Sequence, residues 1–260
     1  LFEDSYGVAD AVAFGGMLNA LLRHCDRAKI ACLAQLVNVI APIMTVPGGG
    51  IYRQTTYYPF LNASLYGRGT VLDLKTGGDV YESKRYGTVP YVDSAAVLSE
   101  SGEVSIFLCN RHLTEEAEVS FALQEFGGYL PVGHTVLTGE PDARNTAESP
   151  ESVVPAEGAP VIRDGDKWKT VLPALSWNMI RFARPAESKK AMEHFDSGNR
   201  KNGFDRDRRI FHRKRLPLRA EPDNQRTQHG RRLHGVHILR LFPAVSLDGK
   251  RVLLRFRPSC

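Results

Sequence analysis

Two amide side chains interrupt the most apolar stretch of this 260-residue sequence. Gln35 and Asn38 both lie within the run Ile30–Ile40. A buried amide without a hydrogen-bond partner costs about 1–3 kcal/mol. Each of the two is therefore either satisfied in a core or directed at a ligand from the exit of a strand. The residues alone leave both interpretations open.

The other candidate chemical groups do not form a recognisable site. The four cysteines lack the C-x-x-C spacing and the nearby histidine pair of a zinc site, so no metal site is predicted. His24 beside Cys25 could be a pair of metal ligands, but a helix end next to a buried thiol explains it better. Gly48–Gly50 lacks the spacing and the following Lys-Ser/Thr of a phosphate loop, so a nucleotide site is not expected. Nothing in the residues suggests a cofactor.

The elements that position the two amides belong to the first 67 residues. Apolar residues recur at helical spacing over Val8–Cys25, and Gly15-Gly16 within this helix predict close packing against a neighbour. The continuous apolar run Ile30–Ile40 is typical of a strand buried on both faces of a parallel sheet. A second helix is predicted over Arg53–Gly67. One helix–strand–helix unit cannot close a parallel sheet, so we expect the remaining strands to precede Leu1.

From Gly69 onward the pattern changes to short alternating runs separated by glycine-containing turns. This pattern predicts a β-sandwich over 68–184, with residues 139–160 as a long loop. The predicted strands are Thr70–Leu74, Tyr91–Leu98, Val104–Asn110, Ala117–Leu123, Leu130–Leu137, Lys169–Leu172 and Trp177–Phe182.

The charge is divided unevenly along the chain. Residues 1–184 carry 15 Lys+Arg and 21 Asp+Glu, whereas residues 185–260 carry 19 and 8. The last 76 residues are therefore a basic tail, and its first 50 residues, which lack apolar periodicity, are expected to be disordered. Toward the end of the tail, His237–Leu247 and Arg251–Phe256 flank a possible hairpin turn at Asp248-Gly249.

Composition excludes several classes of protein. Apolar residues make up 42% and charged residues 24% of the chain, which excludes collagen, whole-chain disorder and a disulfide scaffold. No run of 18 apolar residues is present, so no membrane helix is predicted. The start at Leu1 shows no secretory signal, which together with unpatterned cysteines predicts a cytoplasmic protein, and the absence of an initial Met predicts a fragment.

Two long strings and one later strand resemble a known family. ADAVAFGGMLNALLRHCDRAKIACLAQLVNVIAPIMT, RQTTYYPFLNASLYGRG and the later LPALSWNMIRF are similar to the C-terminal part of the family 51 glycoside hydrolases, the α-L-arabinofuranosidases. The resemblance covers about residues 4–184. It implies an α/β plus all-β fold, in which residues 1–67 are the last helix–strand–helix of a (β/α)8 barrel and Lys29–Val37 is its eighth strand. Residues 68–184 would then be a jelly-roll-like β-sandwich, and residues 185–260 a basic tail.

The resemblance also implies a reaction and a role for the amides. The family hydrolyses terminal non-reducing α-L-arabinofuranosyl residues of arabinan and arabinoxylan oligosaccharides with retention, using two glutamates at the ends of the fourth and seventh strands. Both glutamates would precede Leu1, so this chain alone is expected to be inactive. Gln35 corresponds to a glutamine that points from the eighth strand toward the bound sugar, while Asn38 is the weaker candidate. The family needs no metal or organic cofactor, and full-length members commonly form homo-oligomers.

Other interpretations remain open. Residues 68–184 could be a non-catalytic sandwich module for assembly or carbohydrate binding. The tail could be an arginine-rich arm for nucleic acid, which is disfavoured because few aromatic residues accompany the charges. It could also be an extra module, or read-through or shifted-frame sequence that was never selected to fold, which we favour because the arginine-rich composition begins directly after a recognisable last strand.

Overall fold

The computed structural model describes residues 4–74, 76–123 and 125–185, together with the backbone of residues 251–255. The described part contains two helices, α1 (Val8–Arg23) and α2 (Tyr57–Tyr66). The strands are β1 (Ile43–Thr45), β2 (Ile51–Arg53), β3 (Thr70–Leu72), β4 (Val80–Ser83), β5 (Gly87–Pro90), β6 (Val92–Leu98), β7 (Val104–Asn110), β8 (Ala117–Ala122), β9 (Leu130–Thr138), β10 (Ala156–Glu157), β11 (Ile162–Asp164), β12 (Lys167–Leu172), β13 (Ser176–Ala183) and β14 (Arg251–Arg255).

Two larger sheets form a mostly β, sandwich-like structure. The first has six strands in the order β10-β9-β13-β7-β6-β3, all antiparallel, and the second has four in the order β11-β12-β8-β14. β14 pairs in parallel with β8, the remaining pairs of the second sheet being antiparallel. Two small hairpins, β1–β2 and β4–β5, complete the described strands. The predicted β-sandwich is confirmed at this level.

Alternating side chains of the central strands pack into two different cores. Ile106 on β7 and Phe182 on β13 belong to a core that also contains Phe121 of the second sheet. Phe107 on β7 and Trp177 on β13 belong instead to a core on the opposite face. Because side chains alternate across a strand, these strands are buried on both faces.

Helix α1 covers the second face of the six-stranded sheet. Val8, Ala11 and Val12 of α1 are at most 2% exposed and pack in the same core as Trp177. The helix begins after Gly7, whose backbone N–H donates to the carboxylate of Asp10 at 2.8 Å. This bond satisfies one of the amide groups that a helix start leaves unpaired. Neither described helix has the combination of length and hydrophobicity that a membrane span requires.

The predicted strand at Ile30–Ile40, and with it the eighth barrel strand Lys29–Val37, is not formed among the described residues. The segment is irregular, and its one backbone bridge joins Val37 to Ile43. A parallel strand takes its hydrogen bonds from neighbouring strands along its length, whereas β1 meets this segment at that single bridge. The strand predicted from the apolar run is wrong for this structure, because that run alone cannot supply those partners, whereas the barrel assignment implied by the resemblance stays a prediction.

The other predicted elements agree with the structure apart from their ends. The two predicted helices form as α1 and α2. Each predicted sandwich strand is also present, and its ends lie within two residues of the predicted ones. The expected loop over 139–160 is formed at residues 139–155 and is then interrupted by the two-residue strand β10. The tail predictions mostly lie outside the described residues; only the backbone of Arg251–Arg255 is described, and it pairs with β8.

Candidate functional site

The segment between α1 and β1 carries both sequence-predicted amides on the surface. Gln35 is exposed, and its side chain makes no hydrogen bond with the described part of the chain. The apolar side chains beside it are exposed as well, with Ile30 at 85% and Leu36 at 72%. The structure thus places Gln35 where a polar ligand can reach it, on a segment whose apolar residues are not covered by the described residues.

Asn38 is held within the loop. Its backbone lies in the left-handed region at φ 62°, a conformation that asparagine tolerates better than most residues. Its side-chain Nδ2 donates to Thr45 Oγ1 at 2.9 Å, and its Oδ1 accepts from the Thr45 backbone N–H at 2.8 Å. The amide therefore fixes the turn between the exposed segment and β1. Gln35 and Asn38 share one segment, but their side chains have different surroundings.

Gln54, which the sequence reasoning did not single out, anchors this segment. The side chain is 2% exposed. Its Nε2 donates to the carbonyl oxygens of Asp4 at 3.0 Å and Ala41 at 2.8 Å, and its Oε1 accepts from the backbone N–H of Tyr6 at 2.9 Å. One buried amide thereby joins the chain leading into α1 to the end of the exposed segment. Its neighbours in the sequence, Arg53 and Thr55, are polar as well, so no local pattern marked it as buried.

Tyr6 lies against the same anchor. Its hydroxyl donates to the carbonyl oxygen of Ile40 at 3.2 Å. Burial raises the pKa of Tyr6, and the negative charges of Asp4 and Asp10 raise it further. The phenol therefore stays protonated as a donor throughout the neutral range, which keeps the bond to the segment intact.

A charged cluster attaches the last turns of α1 to the six-stranded sheet. The carboxylate of Asp93 on β6 accepts from Asn19 Nδ2 at 3.1 Å and lies 3.1 Å from Arg23 and 3.6 Å from Arg111. Asp93 is 7% exposed. A buried charge is tolerated when it is paired in this way. The cluster fixes where α1 ends and hence where the segment carrying Gln35 starts.

Cys109 lies beside this cluster and is fully buried. Burial raises the pKa of its thiol well above the ordinary range, and the charge of Asp93 acts in the same direction. A buried thiol with a raised pKa is a poor nucleophile, so Cys109 serves packing. Cys25, Cys32 and Cys109 are all free thiols.

The described residues contain no group of three or more His, Cys, Asp or Glu side chains that could hold a metal ion. His24 is exposed, and its Nδ1 lies 3.3 Å from Arg27 Nη2. The glycines Gly48–Gly50 form the turn of the β1–β2 hairpin, where Val46 N–H donates to the Gly50 carbonyl at 2.9 Å.

A wide groove of about 610 Å³ opens beside the exposed segment. One wall is α1, the other is α2, and Lys29–Ala31 forms an edge. Apolar side chains such as Leu18, Leu21 and Phe60 line most of it. The groove thus adjoins the start of the exposed segment, four residues before Gln35 in the chain.

Comparison with known proteins identifies close relatives. The family described as "Alpha-L-arabinofuranosidase C-terminal domain" matches residues 1–176. An intracellular exo-α-(1→5)-L-arabinofuranosidase of Streptomyces lividans is 48% identical over 189 residues, which cover 72% of this chain and 28% of that protein. The protein of the same description from Halalkalibacterium halodurans is 44% identical over 185 residues, covering 71% and 37%.

Two solved structures of α-L-arabinofuranosidases have a fold similar to that of this chain. A family 51 α-L-arabinofuranosidase from Bifidobacterium longum matches with a TM-score of 0.66 and 34% identity, covering 70% of this chain and 36% of that one. The arabinose complex of the Thermotoga maritima α-L-arabinofuranosidase matches with a TM-score of 0.57 at 23% identity, a likeness of fold. The matched part of this chain spans 28% of the length of the Streptomyces lividans relative and 37% of that of the Halalkalibacterium halodurans relative.

Proposed function

Because this chain belongs to the family of α-L-arabinofuranosidase C-terminal domains, we propose that it forms the C-terminal part of a retaining α-L-arabinofuranosidase. The substrates we propose are arabinan and arabinoxylan oligosaccharides, from which the enzyme removes terminal non-reducing α-L-arabinofuranosyl residues. The observation that carries the proposal is the family match over residues 1–176, with 48% identity to an enzyme named for this exo-activity. The relatives' names also support a cytoplasmic location.

The proposal assigns the bond-breaking chemistry to residues that precede this chain in a longer protein. Retaining hydrolysis needs a nucleophilic carboxylate and an acid/base carboxylate about 5–5.5 Å apart. The relatives are about three times as long as the matched region, which leaves room for a barrel that carries both. This chain then supplies the last part of that barrel and the sandwich, and by itself it does not hydrolyse the substrate.

The exposed apolar region supports this division. Four apolar side chains on α1, on α2 and on the segment between them are between 41% and 85% exposed: Leu21, Ile30, Leu36 and Leu65. A contiguous apolar patch on a soluble protein usually marks a surface covered by another part or partner. The remaining barrel strands would cover this region and would provide the neighbours that Lys29–Val37 needs to become the eighth strand.

Gln35 is our proposed substrate contact. When the segment becomes a barrel strand, its side chain can donate from Nε2 and accept at Oε1 with adjacent sugar hydroxyls, which orients the ring without adding charge. Asn38 supports the strand exit through Thr45, as it does here. We place the weaker candidate Asn38 in that positioning role. Association of full-length proteins into homo-oligomers is part of the same proposal.

A chimeric enzyme tests the proposal. Residues 4–184 would replace the matching region of the Streptomyces lividans relative, and hydrolysis of a nitrophenyl α-L-arabinofuranoside would be measured. We expect the chimera to be active and this chain alone to show neither a burst nor turnover. In the chimera, Gln35→Ala should lower kcat/KM roughly 10- to 30-fold, the effect of losing about two hydrogen bonds.

The control variant is Gln54→Glu in the same chimera, and its melting temperature is measured. Gln54 is the buried amide that joins the chain leading into α1 to the end of the exposed segment, so this substitution acts on folding. A chimera that is folded by circular dichroism yet inactive would count against the proposal. So would turnover by this chain alone, or a Gln35→Ala chimera with unchanged kcat/KM.

A further inference from the structure

A second concave site lies on the sandwich, away from Gln35. It is a cavity of about 450 Å³ between the loop leading into β4, the start of β6 and the loop from β7 to β8. Its volume is within the range of about 300–1,000 Å³ that is usual for small-molecule sites. None of the residues that line it belongs to the segment carrying Gln35.

One wall of the cavity contains two rings, Tyr91 and His112. The Tyr91 ring has its centroid 4.6 Å from that of His112 and 4.9 Å from that of Tyr81, which is not part of the lining. The rings are tilted by 43–44° to one another. Because Tyr91 contacts a ring on either side, it forms a well-supported apolar surface against which C–H groups of a ligand can pack.

The histidine of this wall has a fixed orientation. Its Nδ1 accepts from the backbone N–H groups of Thr114 at 3.3 Å and Glu115 at 2.9 Å. In the neutral ring the proton therefore lies on Nε2, which is 3.9 Å from the Glu115 carboxylate. His112 thus presents a donor at the cavity.

The base of the cavity is equally rigid. The Asn110 side chain is fully buried. Its Nδ2 donates to the carbonyl oxygens of Glu115 at 3.0 Å and Pro173 at 2.8 Å, and its Oδ1 accepts from His112 N–H at 3.1 Å. The loop that carries most of the polar lining is therefore held in shape before any ligand binds.

The remaining polar lining consists of acceptors. Three acidic residues, Asp79, Glu115 and Glu116, also line the cavity, and no Lys or Arg is among the described residues that line it. Three carboxylates repel an anionic ligand. A neutral ligand with many hydroxyl groups fits the lining better, because it donates to the carboxylates, accepts from His112 Nε2–H and places its C–H face on the rings.

We propose that this cavity is a non-catalytic saccharide-binding site, which holds a neutral oligosaccharide on the sandwich. The site itself is argued from its lining. The choice of an arabino-oligosaccharide as the first probe rests on the proposed function. Such a site would keep the chain end of a larger substrate close to the protein without taking part in hydrolysis.

Calorimetric titration of the full chain with arabinotriose tests the proposal, with xylotriose, maltotriose and spermidine as parallel probes. We expect saturable binding of at least one neutral trisaccharide, unchanged between low and high salt. Glu116→Gln and Asp79→Asn preserve the shape and should each weaken binding at least tenfold, because hydrogen bonds to charged acceptors are lost. Glu100→Gln, an exposed carboxylate on the β6–β7 turn outside the cavity, is the matched control and should bind like the unmodified chain.

Three outcomes would overturn the proposal. The first is no binding of any saccharide. The second is saccharide binding that both cavity variants leave unchanged. The third is salt-sensitive binding of spermidine alone, which would make the cavity a cation site. Because the titration measures no hydrolysis, its failure leaves the proposed function standing, and an inactive chimera leaves this site standing.

Discussion

Gly15 offers the sharpest test of how α1 is held on the sheet. The sequence predicts that Gly15-Gly16 allow a close approach, and the structure confirms it for Gly15. A Cβ atom at this position would collide with the indole of Trp177 and lie 3.0 Å from Cys109 Sγ. Trp177 is 1% exposed in the centre of the core, so its ring has no room to move away.

Two opposing effects set the magnitude for Gly15→Ala. Alanine favours the helix over glycine by about 1 kcal/mol, whereas overpacking a core costs about 1–3 kcal/mol. The collision involves a rigid, buried ring, so we expect the upper part of that range. The net loss in the free energy of unfolding is then about 1–2 kcal/mol, which lowers Tm by roughly 2–8 °C for a domain of this size.

Gly16→Ala is the matched control one residue along the same helix. There the new Cβ would lie 3.2 Å from Arg111 Nη2, the end of a flexible side chain that can shift. Its expected effect is a Tm that is unchanged or slightly higher. Thermal and urea unfolding of the three proteins, followed by circular dichroism, give the comparison. Equal or greater stability of Gly15→Ala relative to Gly16→Ala would refute the steric argument.

Four further predictions concern Asp93, Gln54 and the cysteines. Asp93→Asn should lower the free energy of unfolding by about 1–2 kcal/mol in urea titrations, because Arg23 loses its charged partner but keeps 40% exposure; no change would contradict a clamping role. Gln54→Ala should cost about 1–3 kcal/mol by the same measurement, since three backbone groups lose their partner, one from a buried and two from part-buried hydrogen bonds. A loss below about 0.5 kcal/mol, roughly that of a surface change, would argue against the anchor. In peptide mapping after iodoacetamide, Cys32 should react in the folded protein and Cys109 only after unfolding. The pKa of Cys109 is raised in the folded protein, whereas the thiol of the unfolded chain ionises near pH ~8.5. The free energy of unfolding should therefore fall as the pH rises above that value. In Cys109→Ser, which lacks the thiol, the fall should be less steep.

Local patterns were sufficient for the two helices and the main strands of the sandwich, and insufficient for most of the short strands. β7 and β13 each span seven or more residues, enough for alternation to show in the sequence. β4, β5 and β11 have only three or four residues, too few for a period to be visible. Pairing with a partner strand defines such strands, and the partner is not encoded in their own residues.

The core between α1 and the six-stranded sheet likewise depends on contacts between residues that are far apart in sequence. Alternation in β7 identifies Phe107 and Cys109 as sharing one face, but in an isolated sandwich that face could be exposed to water. The structure shows α1 covering it, with Trp177 between helix and sheet. Only the packing of residues far apart in sequence decides that β7 is buried on both faces.

The sequence pointed to some residues of the candidate site and missed others. Gln35 and Asn38 were found because polar residues stand out in an apolar run, and the prediction of Gln35 as a sugar contact remains a prediction. Gln54 was missed because its partners, Asp4 and Ala41, lie 50 and 13 residues away. A buried hydrogen-bonding role of this kind becomes visible only when distant segments meet.

The sequence by itself determined the family, the two helices and the main strands of the sandwich, because each depends on residues that are close together in the chain. The tertiary structure decided what those elements contact: α1 against Trp177, Asp93 between two arginines, and the ring-lined cavity beside His112. It also decided the state of Ile30–Ile40. An apolar run encodes the tendency to be a buried strand, but hydrogen bonds from neighbouring strands are needed to form one, and the described residues do not provide them.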